Sequence, residues 1–535
     1  MTGKIPDPIR VGLASGWKVL DGARQDKDLS LEVDVAIIGS GAGGGIAAEV
    51  LSRAGLKVLL LEEGGLYSSS DFRLLEAKAY PELYQESASR QTLDKGITVL
   101  QGRTVGGGTT VNWTSSFRTP PDTLLWWQEN HGLATLSIEG MRPWFDKAEQ
   151  RLGIGPWQAE PNGNNLVLER GCQALGLRHA RIARNVKGCW NLGYCGMGCP
   201  TNAKQSMLVT CIPDALSHGA RLLCRARVDR LLADPGRKRI ASIQGSLLGT
   251  DGNTPTGRRF SVRARQVVLA AGAIGTPAIM LRSGLADAAG QTGKRTFLHP
   301  VALSAALMPE MVEPYNGAPQ TVYSDHYMHT QPLDGPLGFK LEVPPIHPLL
   351  ASVTFPGFGI EQLQLLQQLP HLHATLALLR DGFHPDSRGG EVKLRGDGSP
   401  VLDYPLNDVI WDGVRRSWLA MAELQFAAGA SLAMPLHERA QPVSSWRRAR
   451  EMIEGLPLQA LQARLVSAHV MGGMAMGDDP ARSVLDDWGN HWEWRNLAVL
   501  DGSIFPTSVG ANPQLSIYAF SWRAADRLAR ELAKG

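Results

Sequence analysis

The clearest pattern of apolar and polar positions lies near the start of the chain. An apolar run at residues 33–38 passes into a glycine-rich turn, an Ala-rich segment follows at residues 46–54, and a second apolar run spans Val58–Leu61. Short apolar runs bounded by glycine are typical of strands buried inside a sheet, and the Ala-rich segment favours a helix. The pattern therefore predicts a strand, turn, helix, strand unit.

The turn and the end of the second strand carry residues suited to binding a dinucleotide. Three glycines stand at G-x-G-x-x-G spacing and an acid follows the second strand: Gly39, Gly41, Gly44 and Glu62. The first glycine permits the tight turn, the second lets the backbone approach a pyrophosphate, and the third lets helix and strand pack closely. The phosphates meet the positive end of the helix, and the carboxylate can accept hydrogen bonds from ribose hydroxyls. The unit predicts a dinucleotide site, with FAD and NAD both open at this point.

A second strand-turn-helix pattern lies in the middle of the chain. An apolar strand at residues 267–271 ends at Gly272, and a helix is expected to begin near Thr276 and Pro277. Proline fits the first turn of a helix, where its missing N–H group would be unpaired anyway.

The following region, residues 291–460, contains short strands and proline-rich breaks. Residues 389–404 alternate around Asp397 and Gly398, a favoured tight turn, and so predict a hairpin followed by a helix over residues 409–428. The apolar stretch at residues 363–379 is interpreted as a buried core helix. The alternatives are the lining of an apolar substrate entrance and a surface that contacts a membrane.

Length and composition limit the class of protein. With 535 residues, 43% of them hydrophobic and 20% charged, the chain can form two joined domains with large cores. The net charge of +3 and the lack of long basic runs argue against a nucleic-acid partner. No apolar stretch reaches the roughly 20 residues that span a bilayer, and no signal peptide is expected. The expected location is the cytoplasm, or an exported or membrane-associated site reached through a partner subunit.

The cysteines are confined to one part of the chain. All six lie between Cys172 and Cys224, and Cys189, Cys195 and Cys199 form a C-x5-C-x3-C pattern with proline directly after it. Clustered thiolates that end on Cys-Pro are typical of iron–sulfur ligation. Free or packed thiols, a disulfide and, with less support, zinc are the alternatives, since zinc generally takes a fourth protein ligand.

Two further segments carry candidate chemistry. A glycine-rich loop whose bare backbone can lie against a flat ligand contains Gly106, Gly107, Gly108, Thr109 and Asn112. Towards the C-terminus, a histidine is followed by an Asp-Gly pair and an Asn-Pro pair, namely His469, Asp501, Gly502, Asn512 and Pro513. An imidazole can accept a proton near neutral pH, and an amide can hold an oxygen atom in place without adding charge.

These separated blocks together resemble the glucose-methanol-choline (GMC) family of FAD-dependent oxidoreductases. The resemblance implies an α/β fold in which a Rossmann-like FAD-binding domain carries an antiparallel-sheet substrate domain. The expected FAD-binding domain comprises residues 31–125, 185–290 and 462–535, and the expected substrate domain comprises residues 126–184 and 291–461. Residues 1–30 are expected to form an N-terminal arm.

The resemblance also implies site roles and an activity. It places the Val228 backbone against the adenine, Asp501 near the ribityl chain, and His469 and Asn512 at the substrate hydroxyl. FAD is then the expected cofactor, and the expected reaction is oxidation of an alcohol, with His469 taking the proton, flavin N5 taking the hydride and an external acceptor receiving the electrons. The alternatives are an oxygen-using long-chain or sterol alcohol oxidase, an NAD-linked dehydrogenase, and a non-catalytic flavin or electron-transfer subunit.

The cysteine spacing resembles that of FAD-dependent sugar dehydrogenase catalytic subunits, which hold a three-iron (3Fe-4S) cluster on three cysteines. That likeness implies a cluster on Cys189, Cys195 and Cys199 and a cytochrome or quinone-linked partner subunit as electron acceptor. The sequence around these cysteines also resembles the long-chain alcohol and cholesterol oxidase branch of the family, where similar loops need hold no metal. The substrate, sugar or hydrophobic alcohol, is left open.

Overall fold

The computed structural model describes residues 5–534 and has an α/β fold, as expected. Its strands are β1 (Lys18–Asp21), β2 (Leu29–Ile38), β3 (Val58–Leu61), β4 (Ile97–Val99), β5 (Ile154–Pro156), β6 (Ala180–Arg181), β7 (Ala183–Asn185), β8 (Arg221–Cys224), β9 (Ala226–Asp234), β10 (Arg239–Leu248), β11 (Pro255–Leu269), β12 (Thr296–Leu298), β13 (Val301–Leu307), β14 (Val322–Tyr323), β15 (Phe339–Glu342), β16 (Leu372–Leu379), β17 (Glu391–Leu394), β18 (Pro400–Asp403), β19 (Leu432–Pro435), β20 (Leu465–Ser467), β21 (Val470–Gly472) and β22 (Leu497–Val499).

The helices lie between these strands and at the C-terminal end. They are α1 (Pro8–Ala14), α2 (Ala42–Arg53), α3 (Glu76–Leu83), α4 (Gly108–Val111), α5 (Pro121–His131), α6 (Ile138–Leu152), α7 (Gly163–Ala174), α8 (Cys211–Ser217), α9 (Gly272–Arg282), α10 (Pro348–Thr354), α11 (Gly359–Gln367), α12 (Asp408–Ala427), α13 (Trp446–Gly455) and α14 (Gln514–Leu532). None of the helices within residues 5–534 is both long and apolar enough to cross a bilayer.

The larger sheet has eight strands in the order β1-β8-β3-β2-β11-β10-β9, with β22 beside β11. The predicted strand-helix-strand unit is confirmed, because β2 and β3 pair in parallel with Val35 opposite Val58. β11 lies on the other side of β2, so both glycine turns leave the same edge of the sheet. The carboxyl edge of parallel strands at a change in strand order is where α/β folds bind nucleotides.

The second sheet has six strands in the order β15-β16-β13-β20-β4, with β19 also pairing with β13. Its pairs are antiparallel except for β20 and β4. The predicted hairpin is confirmed as β17 and β18, with Val392 opposite Leu402, and the helix predicted after it is confirmed as α12. The long helix α12 contacts β13, β16 and β19 and so covers this sheet.

Two sequence-based expectations about these elements are wrong. The stretch at residues 363–379 is not a core helix: α11 ends at Gln367 without a buried residue, and all eight residues of β16 are buried in the second sheet. A strand buried on both faces lacks the alternation of buried and exposed positions, so periodicity alone cannot distinguish it from a buried helix. The helix after Gly272 begins at that glycine rather than near Pro277, because the turn itself forms the first helical residues.

The N-terminal segment is part of the fold where it is described. α1 precedes β1, which pairs in parallel with β8 at the edge of the larger sheet, while residues 1–4 of the expected arm lie outside the described range. The larger sheet takes strands from residues 18–61, 221–269 and 497–499, and the second sheet takes strands from residues 97–99, 301–379 and 432–467. The division of the chain into domains at the expected boundaries stays a prediction.

Candidate active site

A cavity of about 690 Å³ is lined by residues of both sheets and contains most of the site residues expected from the sequence. The expected residues that line it are Gly39, Gly41, Glu62, Gly107, Gly108, Thr109, Asn112, Val228, Gly272, His469, Asp501, Gly502, Asn512 and Pro513. Gly44 and Gly106 are not in its wall, and neither are the three cysteines of the C-x5-C-x3-C pattern. Distant parts of the chain therefore meet at one cavity.

The glycines of the first turn are required by close backbone contacts. A Cβ atom on Gly39, whose φ is +101°, would lie 2.2 Å from the carbonyl oxygen of Ala270. A Cβ atom on Gly44 would lie 1.9 Å from the carbonyl oxygen of Gly39, so this residue lets α2 approach the turn. A Cβ atom on Gly107 would lie 2.6 Å from Cα of Gly41, so the two glycine loops touch through their backbones. The result is a cavity wall of bare backbone at the N-terminus of α2, which fits the diphosphate of a dinucleotide.

Glu62 is buried at the end of β3 and faces the same cavity. One carboxylate oxygen accepts hydrogen bonds from the Ser40 backbone at 3.1 Å and from its hydroxyl, and the other accepts from the Gly64 backbone at 2.8 Å. Burial raises the pKa of this carboxyl group. Glu62 therefore holds the first turn in shape in addition to offering its remaining lone pairs to the cavity.

Asp501 connects the C-terminal block to the second glycine turn. Its Oδ2 atom accepts from the Gly272 backbone at 2.9 Å and from the Thr276 hydroxyl at 2.6 Å, and its Oδ1 atom accepts from the Ser503 backbone at 2.8 Å. Burial raises the pKa of this carboxyl group as well. The aspartate thus fixes the start of α9 relative to the segment that carries Asn512.

His469 follows β20 and is paired with a second histidine that sequence reasoning missed. Its Nδ1 atom lies 3.0 Å from Nδ1 of His299, and Nε2 of His299 accepts a hydrogen bond from the Gly510 backbone at 3.2 Å. Burial, with the positive charge of Lys340, lowers the pKa of His469 to about 3. Burial is also the main reason why the pKa of His299 lies well below its ordinary value. Both imidazoles are therefore neutral at pH 7.

The hydrogen-bond partners of His299 indicate which ring nitrogen of each imidazole carries the proton. Because its Nε2 atom accepts from Gly510, neutral His299 carries its proton on Nδ1 and donates it to Nδ1 of His469. In that arrangement His469 carries its own proton on Nε2. His299 also links His469 to the loop that ends in Asn512.

Asn512 lies just before α14, and two charged side chains hold its amide. Nζ of Lys340 donates to Oδ1 of Asn512, and Nδ2 of Asn512 donates to Oε2 of Glu342 at 3.2 Å. Lys340 and Glu342 form an ion pair at 2.8 Å, and both side chains are almost fully buried. Sequence reasoning missed both residues, because they lie on the short strand β15, far along the chain from Asn512, with no motif around them.

Apolar side chains of the second sheet line the cavity close to His469. Val466 of β20 lies directly opposite Val301 of β13, and Val301 lies opposite Leu378 of β16. These three side chains and Leu376 all line the cavity, as does Trp113. A hydrocarbon chain would find an apolar surface along this wall.

The three cysteines of the C-x5-C-x3-C pattern are free thiols at partly buried positions. Each has a different polar neighbour: Asn191 donates to the sulfur of Cys189, Arg184 donates to that of Cys195, and the Thr201 hydroxyl lies beside that of Cys199. Within the described residues, no group of three His, Cys, Asp or Glu side chains is arranged to hold a metal ion. The predicted iron–sulfur cluster is therefore not supported, and the residues do not fit it.

A buried lysine connects the cysteine segment to the cavity wall. Nζ of Lys204 donates to the carbonyl oxygens of Thr110 at 2.8 Å, Asn112 at 2.8 Å and Cys195 at 2.6 Å. Burial lowers the pKa of this lysine to about 8. All three donors of the ammonium group are used, so Lys204 acts as a cross-link between two loops.

Comparison with known proteins places the chain in a family. Sequence profiles described as GMC oxidoreductase match residues 80–301 and 385–521. An uncharacterised GMC-type oxidoreductase of Mycobacterium tuberculosis is 32% identical over 95% of this chain and 79% of its own length. A long-chain-alcohol oxidase of Arabidopsis thaliana is 29% identical over 93% of this chain and 68% of its own length.

Solved structures have the same fold at low sequence identity. Pyridoxine 4-oxidase from Mesorbium loti superposes with a TM-score of 0.67 at 20% identity, covering 92% of this chain and 98% of its own. A formate oxidase superposes with a TM-score of 0.68 at 15% identity, covering 94% and 99% of the two chains. The Rossmann-like FAD-binding fold expected from the sequence is confirmed, and the protein belongs to the GMC oxidoreductase family.

Proposed function

We propose that the protein oxidises the hydroxyl group of an alcohol to a carbonyl, with FAD held against the glycine turns. The observation that carries the proposal is that His469 and Asn512 line the same cavity as the dinucleotide-type turns. A bound flavin supplies the hydride acceptor of the reaction. The protein residues bind the alcohol, orient it and move its proton. An electron-transfer subunit without a substrate site would have no need of this pair.

In this proposal His469 accepts the hydroxyl proton on Nε2, in the tautomer that carries its own proton on Nδ1. Its pKa is lowered to about 3, so the imidazole stays unprotonated at neutral pH. Asn512 donates an amide N–H to the same oxygen, which stabilises the negative charge that develops as the proton leaves.

The base role sets a requirement on the histidine pair. To offer a lone pair from Nε2, His469 must carry its own proton on Nδ1 and donate it to Nδ1 of His299. The hydrogen bond from Gly510 favours the opposite assignment, in which Nε2 of His469 is a donor towards the cavity. With the proton on Nε2, His469 and Asn512 would both donate to the substrate oxygen, and a group other than His469 would take the hydroxyl proton.

We further propose that the substrate is a hydrophobic alcohol. The support is the apolar wall formed by Val301, Leu376, Leu378 and Val466, and the similarity to relatives named long-chain-alcohol oxidases. A sugar would leave most of its hydroxyl groups without partners along that wall, which is costly for a buried polar group. The cysteine spacing that favoured a sugar substrate loses its weight because the cysteines do not form a metal-binding group in the described residues.

The test is anaerobic mixing of the purified flavoprotein with a panel of alcohols. A long-chain linear alcohol, a sterol and a sugar are each added, and bleaching of the visible flavin band is followed. We expect the hydrophobic alcohols to bleach the flavin and the sugar to leave it unchanged. Air or a quinone is then admitted, and the faster reoxidation identifies the electron acceptor as dioxygen or an external partner.

Two variants make the test specific to the site. His469→Ala should retain flavin and lose about 10²–10⁴-fold in the rate of bleaching, as expected for a positioned acid–base group. His218→Gln, at the exposed residue that follows α8, serves as the matched control and should behave as the parent protein. A colourless protein that takes up only NAD, or a flavoprotein that no alcohol reduces, would overturn the proposal.

A further inference from the structure

The strand β15 places two opposite charges side by side in the interior, behind Asn512. Lys340 and Glu342 are two residues apart, so their side chains leave the same face of the strand. Their side chains are 4% and 0% exposed, and Nζ of Lys340 lies 2.8 Å from Oε1 of Glu342. The ammonium group also lies 3.5 Å from the ring centre of Phe117, a favourable cation–π contact.

Stability gives no reason for this pair to be present. Removing two charges from water costs several kcal/mol per ion, and well-packed apolar residues of similar volume are often as stable or more stable (about 1–4 kcal/mol). β15 is an edge strand of the second sheet, where apolar side chains would bury as well. The presence of a buried ion pair is therefore weak evidence for a role in stability, and its contacts offer another explanation.

Those contacts occupy the amide oxygen of Asn512 and one of its two N–H groups. Oδ1 of Asn512 accepts from Lys340, and one of the two N–H groups on Nδ2 donates to Glu342 at 3.2 Å. A flipped amide would place its N–H groups against the ammonium of Lys340 and its oxygen against the carboxylate of Glu342, and both contacts would be repulsive. One N–H group is left, on a residue that lines the cavity.

We propose that Lys340 and Glu342 are positioning residues that lock the Asn512 amide in one orientation, with its remaining N–H directed at the substrate oxygen. This inference rests on the proposed alcohol oxidation. The charged pair makes the amide a better donor, because a hydrogen bond to an ion polarises the group that makes it. A fixed donor requires no reorganisation when charge develops on the oxygen, which is the condition for effective electrostatic stabilisation.

A double-mutant cycle tests this role with the holoenzyme. Lys340→Met and Glu342→Gln are made in the parent protein and again in an Asn512→Ala background, and the rate of anaerobic flavin reduction by a long-chain alcohol is measured. In the parent background each change should lower the rate constant at saturating alcohol by about 10–100-fold, because a misdirected donor no longer stabilises the developing charge. In the Asn512→Ala background the same changes should cost less than about threefold, since the group they orient is absent.

Controls separate positioning from general damage. Lys393→Met removes an exposed lysine that pairs with Asp403 on the hairpin of β17 and β18, and should leave the rate unchanged. Flavin content and melting temperature are recorded for every variant. If Lys340→Met does not accumulate as a folded flavoprotein, Glu342→Gln decides the question with the same cycle.

The outcomes distinguish this inference from the proposed function. A parent enzyme that is reduced by alcohol while Lys340→Met or Glu342→Gln keeps the full rate overturns the positioning role alone. Losses of equal size in both backgrounds also overturn it, because they indicate an effect that does not pass through Asn512. Trifluoroethanol serves as an alcohol probe, and its binding is detected by a change in the flavin spectrum. A parent protein that does not bind this probe and is not reduced by any alcohol overturns the proposed function, and this inference with it.

Discussion

The Nδ1 atoms of His299 and His469 lie 3.0 Å apart, so one imidazole holds the proton that the other receives. The two residues are 170 positions apart in the chain. They meet because β12, which ends just before His299, pairs with β21, which begins just after His469, with Leu298 opposite Val470. The protonation pattern of the candidate catalytic histidine is thus controlled by a side chain that need not touch the substrate. Such an orienting partner is a regular feature of sites that transfer protons.

Replacement of His299 should therefore change catalysis more than flavin binding. His299→Ala removes the partner of His469 and is expected to lower the rate of flavin reduction by about tenfold or more, the size expected for one lost hydrogen bond to a reacting group. His299→Asn keeps a polar group near the Nδ1 position, and its amide can either donate to or accept from Nδ1 of His469, so more of the rate should survive. Equal rates for the parent protein and both variants would contradict a role for this pair.

The contact between the two glycine loops predicts a specific effect on the cofactor. Gly107 has a φ of +52°, and a Cβ atom there would lie 2.6 Å from Cα of Gly41. Gly107→Ala should push the loops apart and weaken FAD binding at least about tenfold, since each misplaced backbone donor costs on the order of 1.5 kcal/mol. Dissociation constants measured on protein stripped of flavin and reconstituted would check this.

A second glycine provides the control for that experiment. Gly55 also has a positive φ, +82°, but a Cβ atom there meets no atom within 4 Å. Gly55→Ala carries the backbone strain of a left-handed residue without the steric clash. It should lower the melting temperature and leave the affinity for FAD unchanged; equal losses of affinity in both variants would show that strain alone is responsible.

Buried histidines predict a loss of stability in mild acid. Burial lowers the pKa of His373 and His469 to about 3 and that of His131 and His491 to about 4, while the same residues in the unfolded chain titrate near 6.5. Between these values the unfolded chain binds more protons than the folded one, so stability falls as the pH falls from about 6.5. Carboxyl groups act in the opposite direction, because burial raises the pKa of Asp381 to about 6 and also raises the pKa of Glu62, Glu82 and Asp501. The histidines outnumber them, since burial also lowers the pKa of His299, His347 and His437.

Thermal unfolding at several pH values checks this sign. The melting temperature should be lower at pH 5 than at pH 7, and unfolding at pH 5 should take up protons. His373→Gln should weaken the dependence on pH, because it removes one of these histidines while its amide can replace one of the hydrogen bonds to Asn164 and Thr375. A melting temperature that rises on acidification would contradict the assignment of these histidines as neutral.

The cysteine segment should be dispensable for catalysis. A variant with serine at positions 189, 195 and 199 is expected to keep its flavin and at least about half of its rate of alcohol-driven reduction, because none of these side chains lines the cavity. Iron and acid-labile sulfide in the parent protein, purified without oxygen, should be at background level. Stoichiometric iron with a paramagnetic signal that disappears in the variant would restore the cluster hypothesis.

Local patterns identified the parts of the site that depend on local structure. The first glycine turn, Glu62 and the strands on either side follow one another within a short stretch, so spacing alone indicates their arrangement. The residues His299, Lys340 and Glu342 were missed because their importance comes from contacts with His469 and Asn512 across the fold. A histidine before a proline and a Lys-x-Glu triplet on a short strand occur too often to stand out in one sequence.

The same reasoning explains the wrong helix at residues 363–379. β16 is buried on both faces, and even its polar residues His373 and Thr375 are buried and hydrogen-bonded to each other, so burial does not alternate along the strand. Periodicity separates helices from strands only where one face meets water. Burial on both faces is decided by elements that pack against the sheet, such as α12 and α7, which the local sequence does not contain.

The three hydrogen bonds of Lys204 hold together the two ends of a long segment of the chain. Asn112 and Cys195 accept from the same ammonium group, so both ends of the segment that includes α5, α6 and α7 are held at a single anchor beside the cavity wall. The entropy of closing such a segment grows only slowly with its length. Insertions and deletions within the loops of this segment can therefore reshape the outer surface of the enzyme while the cavity wall keeps its position.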